Sequence, residues 1–126
     1  MIRFFGGRVM TLANGIETQD IEVWTEGSKI VFVGKPTAEE LDGKVFEREY
    51  DLKGNLLMPS FKNAHTHSAM TFLRSYADDM PLQDWLFKQI FPMEAKLDGE
   101  KVYWLTKLAI LEYLTTGCTA AFDMYF

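Results

Sequence analysis

Two histidines separated by one residue, His65 and His67, follow a short and mostly apolar run that begins at Leu56. They are the only histidines in the 126-residue chain. Turn-forming residues precede the run, so its pattern predicts a buried strand over residues 56–64. Because residues i and i+2 of a strand point to the same face, about 6.6 Å apart, two imidazoles placed there can bind one metal ion. The pattern predicts His65 and His67 as metal ligands at a strand end, with two surface histidines at a loop start as the alternative.

Composition and charge narrow the functional classes. The net charge of −5, with no cluster of Lys or Arg to offset it, argues against a nucleic-acid-binding surface. No apolar run approaches the ~20 residues of a membrane span, and the N-terminus lacks the apolar stretch of a signal peptide. Cys118 is the only cysteine, which excludes an internal disulfide and favours a small buried apolar side chain over a reactive thiol. A cytoplasmic location is expected.

Residues 1–50 are predicted to form short strands joined by turns. The dipeptide Asn14-Gly15 predicts a turn, because glycine readily adopts the positive φ that many turns require. Residues 21–25 and 29–34 are rich in β-branched and aromatic side chains, which predicts a hairpin, and residues 45–50 are a candidate third strand. No polar cluster in this region resembles a catalytic site, so its predicted role is structural.

From Leu56 onward the pattern becomes strand, helix, helix, strand. The first helix is predicted to have Pro81 in its first turn and to end at Pro92. The second is predicted to be capped by Asp98 and to end at Gly117. Residues 118–124 then predict a second strand, and a strand–crossover–strand arrangement implies a parallel pair.

Several short motifs follow one another between residue 58 and the last residue of the sequence. They are Met58-Pro59-x-Phe61-x-Asn63-Ala64-His65-Thr66-His67, Tyr76-Ala77-Asp78-Asp79-Met80-Pro81-Leu82, Phe91-Pro92-Met93-Glu94 and Asp123-Met124-Tyr125-Phe126. Together they resemble the metal-dependent amidohydrolase superfamily, in its branch of deaminases and chlorohydrolases. Within that branch the sequence is most similar to the 5′-methylthioadenosine/S-adenosylhomocysteine deaminases.

The resemblance implies a mixed α/β fold. Residues 1–54 would form part of a small β-sandwich, and residues 55–126 would form the first strands and helices of a (β/α)8 TIM barrel. Such a barrel takes about 250 residues, so the chain is expected to be the N-terminal portion of a longer enzyme. The unfinished sheet would then be covered by self-association or by the missing C-terminal part.

The resemblance also implies a function, the deamination of a small nucleoside-like substrate at a carbon–nitrogen bond that is not a peptide bond. His65 and His67 would bind a divalent metal, zinc first, with iron or nickel as alternatives. Glu94 would bind the ribose hydroxyls, and Trp85 would either line the substrate pocket or anchor its helix. The other catalytic residues would lie beyond Phe126, so the isolated chain is expected to be inactive.

Other functions remain open at this point. Within the same enzyme class they are triazine chlorohydrolase, cytosine deaminase and guanine deaminase. A different class is a non-catalytic, β-rich interaction module that retains the metal motif without its activity. Only an enzyme of this superfamily explains why Glu94 and the 123–126 motif accompany the histidine pair.

Overall fold

The computed structural model of the chain describes residues 1–13 and 15–125. Asn14, in the predicted turn, and Phe126, at the end of the last motif, lie outside the described residues. The fold is mixed α/β, as predicted, and it divides into two compact units, Met1–Pro59 and Ser60–Phe126.

The N-terminal unit contains two sheets with strand orders β5-β4-β1-β6 and β3-β2-β7. Its elements are β1 (Ile2–Phe5), β2 (Arg8–Thr11), β3 (Glu17–Gln19), β4 (Glu22–Glu26), β5 (Lys29–Gly34), α1 (Ala38–Leu41), β6 (Arg48–Asp51) and β7 (Leu56–Leu57). Trp24 is buried and stacks on Phe32 with ring centroids 4.2 Å apart. The predicted hairpin is confirmed, since β4 and β5 pair antiparallel. The predicted third strand begins later, at Arg48, and pairs with β1 rather than with the hairpin.

An ion-pair cluster crosses three strands of the first sheet. The guanidinium of Arg3 on β1 donates from Nε and Nη2 to the carboxylate of Glu22 on β4, at 2.7 and 2.6 Å, and from Nη1 to Glu49 on β6 at 2.9 Å. The indole of Trp24 donates to the same Glu22 carboxylate at 2.9 Å. The hydrogen bond from Arg3 lowers the pKa of Glu22, against the opposing effect of its burial. The cluster therefore fixes β1 between its two neighbours.

The single buried strand predicted over residues 56–64 is wrong in two respects. Leu56–Leu57 forms β7 and pairs with β2 in the N-terminal unit, whereas Phe61–Thr66 forms β8 in the second unit. Pro59 separates them because it has no N–H to donate to a sheet. Moreover, β8 is largely exposed, with Phe61 58% accessible.

The second unit is built on a parallel pair of strands, as predicted. Here β8 pairs in parallel with β9 (Cys118–Asp123), and a helix, α4 (Gly99–Thr115), precedes β9. The side chain of Asp98 accepts a hydrogen bond from the backbone N–H of Lys101, which confirms the predicted cap. Gly117 adopts φ +78°, a conformation that suits glycine at the end of a helix. Between β8 and α4 lie a 3₁₀ segment (Ser68–Leu73) and a second helical segment.

This second helical segment passes through Pro92, where the sequence predicts an end. It runs from α2 (Leu82–Asp84) through a π-helical stretch (Trp85–Ile90) into α3 (Phe91–Glu94). Within the π stretch, the N–H of Phe91 donates to the carbonyl of Leu86, five residues back. This wider turn shifts the hydrogen-bond register, so that Pro92 lies in the first turn of α3, where a missing N–H costs little. Glu94 therefore lies in a helical turn and not in a loop.

None of the helices in the described part of the chain is both long and apolar enough to cross a membrane.

Replacing Glu22 by Gln should destabilise the first sheet at neutral pH, because it removes the charge that Arg3 binds. The expected cost at pH 7 is about 1–3 kcal/mol in the free energy of local unfolding. Since the pKa of Glu22 is lower in the folded chain, this contribution is present at neutral pH and is lost as the pH falls below about 4. Hydrogen–deuterium exchange of β1 and β4, compared between variant and wild type at each pH, measures it.

Glu26→Gln is the matched control, since Glu26 is exposed at the end of the same strand. Its exchange should match wild type within about 0.5 kcal/mol. An equal effect of the two substitutions, or an effect of Glu22→Gln that persists unchanged at pH 3, would contradict a role for the Arg3 cluster.

Candidate metal and substrate site

The two histidines lie together at the C-terminal end of β8. His65 is the next-to-last residue of the strand, and His67 follows it directly. Their ring centroids are 5.1 Å apart, with the ring planes at 80°. This proximity shows that both rings project to the same side of the backbone, as the i, i+2 spacing predicts.

A backbone carbonyl fixes the orientation of His67. Its Nδ1 lies 2.7 Å from the carbonyl oxygen of Met124, just beyond the end of β9. A carbonyl oxygen can only accept, so Nδ1 carries the hydrogen, and in the neutral imidazole Nε2 is the unprotonated nitrogen. Metal-binding histidines in proteins commonly use this arrangement, in which one ring N–H is held and the other nitrogen is the ligand. The chemistry of His67 therefore fits a metal ligand.

The strand ends that carry these groups are joined by further hydrogen bonds. The backbone N–H of Met124 donates to the carbonyl of Thr66 at 3.0 Å, and the N–H of Ser68 donates to the carboxylate of Asp123 at 3.2 Å. From α4, the hydroxyl of Tyr113 bonds to the hydroxyls of Thr66 and Ser68 at 2.5 and 2.9 Å. His67 thus lies between two residues whose side chains are held by one tyrosine.

A cavity of about 550 Å³ lies beside His67 in the second unit. Its lining is mostly apolar and comes from the end of β8, the helical segment before α4 and the end of β9: His67, Met70, Leu86, Ile90, Phe91, Glu94, Met124 and Tyr125. Volume and lining are typical of a small-molecule site, which is largely apolar with a few polar groups. The structure therefore brings His67 and Glu94 to one cavity.

Glu94 is held at this cavity by Tyr125. The Tyr125 hydroxyl donates to Oε1 of Glu94 at 2.9 Å. Burial raises the pKa of Tyr125, and the hydrogen bond to the Glu94 carboxylate raises it further. Tyr125 therefore remains protonated, and a donor, at neutral pH. A carboxylate has about four lone-pair sites, so Glu94 can accept further hydrogen bonds.

Trp85 does not line this cavity. Its indole Nε1 donates to the carbonyl oxygen of Tyr76 at 3.0 Å, which fastens the helical segment to the preceding loop. Of the two roles expected for Trp85, anchoring is the one for which the structure shows a contact. Binding of substrate by Trp85 stays a prediction.

Sequence analysis assigned no role to two polar groups that the structure places at this site. They are the carbonyl of Met124 and the hydroxyl of Tyr125. Their position directly after the second predicted strand could have indicated such a role, since the carboxyl ends of parallel strands lie at the same edge of a sheet. Across the described residues, no group of three or more His, Cys, Asp or Glu side chains is arranged to hold a metal ion.

Comparisons with known proteins agree on one family. The model of the Amidohydrolase family matches residues 56–126. A 5-methylthioadenosine/S-adenosylhomocysteine deaminase of Archaeoglobus fulgidus is 43% identical over 100% of this chain and 28% of its own length. A 5′-deoxyadenosine deaminase of Methanospirillum hungatei is 59% identical over 60% of this chain and 17% of its own length.

Two solved structures are similar to this chain. An adenosine deaminase from Xanthomonas campestris with bound zinc is similar with a TM-score of 0.90 and 36% identity, over 99% of this chain and 29% of that protein. An atrazine chlorohydrolase from Arthrobacter aurescens, complexed with zinc, shares the fold at a TM-score of 0.81 and 23% identity, over 98% of this chain and 28% of that protein.

The chain spans between 17% and 28% of the length of the two curated relatives described above. The family match covers more than half of the chain and includes β8, β9 and the helical segments between them, the elements that build the site. The chain therefore belongs to the amidohydrolase family.

Proposed function

We propose that this chain is the N-terminal portion of a metal-dependent aminohydrolase that deaminates an adenine nucleoside such as 5′-methylthioadenosine or S-adenosylhomocysteine. The observation that carries the proposal is the cavity that His67 and Glu94 share. The names of the relatives, which are deaminases of adenosine-type compounds, support it. A triazine or a free base would offer no vicinal hydroxyls to the Glu94 carboxylate.

The proposal extends to the architecture. Residues 1–54 would contribute to a small β-sandwich, which the two sheets of the N-terminal unit support. Residues 55–126 would begin a (β/α)8 barrel, which the parallel β8–β9 pair and the intervening α4 support. The prediction that the unfinished sheet is covered, by self-association or by the C-terminal part of a longer protein, stays a prediction.

His65 and His67 would hold the metal, for which zinc is proposed, with iron or nickel as alternatives. When bound, a divalent ion supplies activation of a water molecule for attack on the amino-bearing ring carbon, because it lowers the pKa of that water toward 7. The Met124 carbonyl keeps the ring of His67 in the tautomer that leaves Nε2 for binding. The apolar lining of the cavity would exclude bulk water from the bound base.

Glu94 would bind and orient the nucleoside through its sugar. Two carboxylate oxygens can accept from two adjacent hydroxyls, and a hydrogen bond to a charged group is worth ~1.5–3 kcal/mol. The general base and the remaining metal ligands that the family resemblance implies are assigned to no residue of this chain. The chain alone is therefore proposed to be inactive, and the activity is proposed for the full-length protein.

Removal of either histidine should weaken metal binding by the full-length protein. We expect His65→Ala and His67→Ala each to weaken zinc binding more than about 100-fold, because loss of a ligand should exceed the 10- to 100-fold effect of losing a supporting hydrogen bond. Competition with a chromophoric chelator measures the affinity. Lys62→Ala is the control, since Lys62 lies on the same strand and is exposed. Wild-type affinity in the His65→Ala/His67→Ala double variant would contradict the assignment.

Glu94→Gln should cost activity only where the substrate carries the ribose diol. Glutamine keeps the shape but loses the charge and one acceptor, so kcat/KM for 5′-methylthioadenosine should fall about 10- to 150-fold. Its 2′,3′-dideoxy analogue should lose less than about 3-fold, because it cannot make the contact. Steady-state kinetics on the full-length, metal-loaded protein measures both values.

Glu100→Gln is the matched control, since Glu100 lies exposed in the first turn of α4, and it should leave both substrates unaffected. Equal losses on the diol and dideoxy substrates in Glu94→Gln would mean that Glu94 is structural, and the nucleoside assignment would then fail.

A further inference from the structure

We propose that Tyr125 is a positioning residue for the ribose, because its hydroxyl holds the Glu94 carboxylate in the orientation that accepts the two sugar hydroxyls. The inference rests on the proposed role of Glu94 and deepens it. Tyr125 is proposed to act through the side chain of Glu94, and no contact between Tyr125 and the reacting atoms is proposed.

The Tyr125 contact restrains a side chain in the final turn of a short helix. Glu94 is the last residue of α3, and a glutamate side chain loses considerable rotamer freedom when it is fixed. A carboxylate that is free to rotate would have to be ordered each time a nucleoside binds. The 2.9 Å hydrogen bond from Tyr125 orders it in advance, and such preorganisation increases affinity without a new contact to the ligand.

Tyr125 is itself restrained through the backbone of the residue that precedes it. The preceding residue, Met124, uses both of its backbone polar groups, with its N–H donating to Thr66 and its carbonyl accepting from His67. The backbone that leads into Tyr125 is thereby fixed to the end of β8. Met124 and Tyr125, two consecutive residues after β9, thus bind His67 and Glu94 respectively, and so restrain the distance between the proposed metal ligand and the proposed ribose-binding carboxylate.

The hydrogen bond from Tyr125 is also compatible with ribose binding by Glu94. An ordinary tyrosine, with a pKa of about 10, is protonated at neutral pH, and burial raises the pKa of Tyr125 further, so its hydroxyl can donate to the carboxylate throughout the physiological range. One hydrogen bond to Oε1 leaves Oε2 and a second lone pair on Oε1 for the two hydroxyl donors of a ribose. The Tyr125 contact therefore restrains Glu94 without using up its capacity to accept.

The test is Tyr125→Phe in the full-length, metal-loaded protein, which removes one hydroxyl and keeps the ring. For 5′-methylthioadenosine, kcat/KM should fall about 5- to 20-fold, mainly through a higher KM, because ground-state binding is lost. For the 2′,3′-dideoxy analogue the loss should stay below about 2-fold. Tyr103→Phe is the control, since Tyr103 is exposed on α4 and its hydroxyl contacts Lys107, and it should match wild type.

A double-mutant cycle separates positioning from a general structural effect. With Glu94→Ala as the background, Tyr125→Phe should reduce the preference for the diol substrate no further, because the carboxylate through which Tyr125 is proposed to act has been removed. Equal losses on both substrates, an unchanged preference in Tyr125→Phe, or a further loss in the Glu94→Ala background would each overturn the inference while the effect of Glu94→Gln stands. A wild-type protein without turnover of either nucleoside would instead overturn the proposed function, and the inference with it.

Discussion

The hydrogen bond between Nδ1 of His67 and the carbonyl of Met124 joins the ends of β8 and β9, and the candidate site depends on it. It determines which nitrogen of His67 is available to a metal. It also places the chain that follows β9 beside the cavity, where the next residue, Tyr125, reaches Glu94. The parallel pairing of the two strands makes this contact possible, because it puts both carboxyl ends at one edge.

Sequence reasoning predicted the elements near the site well where a local signal was strong. The cap at Asp98, the helix end before Gly117 and the parallel pair of strands all follow from local chemistry and from the geometry of a crossover connection. The projection of His65 and His67 to one side follows from the two-residue period of a strand. Whether these two histidines bind a metal is not tested by the structure and stays a proposal.

Two predictions near the site were wrong: the helix end at Pro92 and the single strand from Leu56. Pro92 predicted a helix end, but the π-helical turn before it moved the missing N–H to a position where it costs little. Glu94 consequently lies in the last turn of α3, where it lines the same cavity as His67. The run from Leu56 was read as one strand because most of its residues are apolar. Composition alone cannot show that Leu56–Leu57 pairs with β2 while Phe61–Thr66 pairs with β9.

The central claim is that the histidine pair binds a metal beside the cavity that His67 lines, and that Glu94 binds a ribose in that same cavity. The most direct test is anomalous diffraction from crystals of the full-length protein grown with zinc and a deaminated nucleoside product. The account predicts a zinc peak about 2.0–2.1 Å from Nε2 of His67 and from a ring nitrogen of His65. It also predicts the two sugar hydroxyls within hydrogen-bond distance of the Glu94 carboxylate. Zinc bound elsewhere, or a sugar that lies away from Glu94, would contradict it.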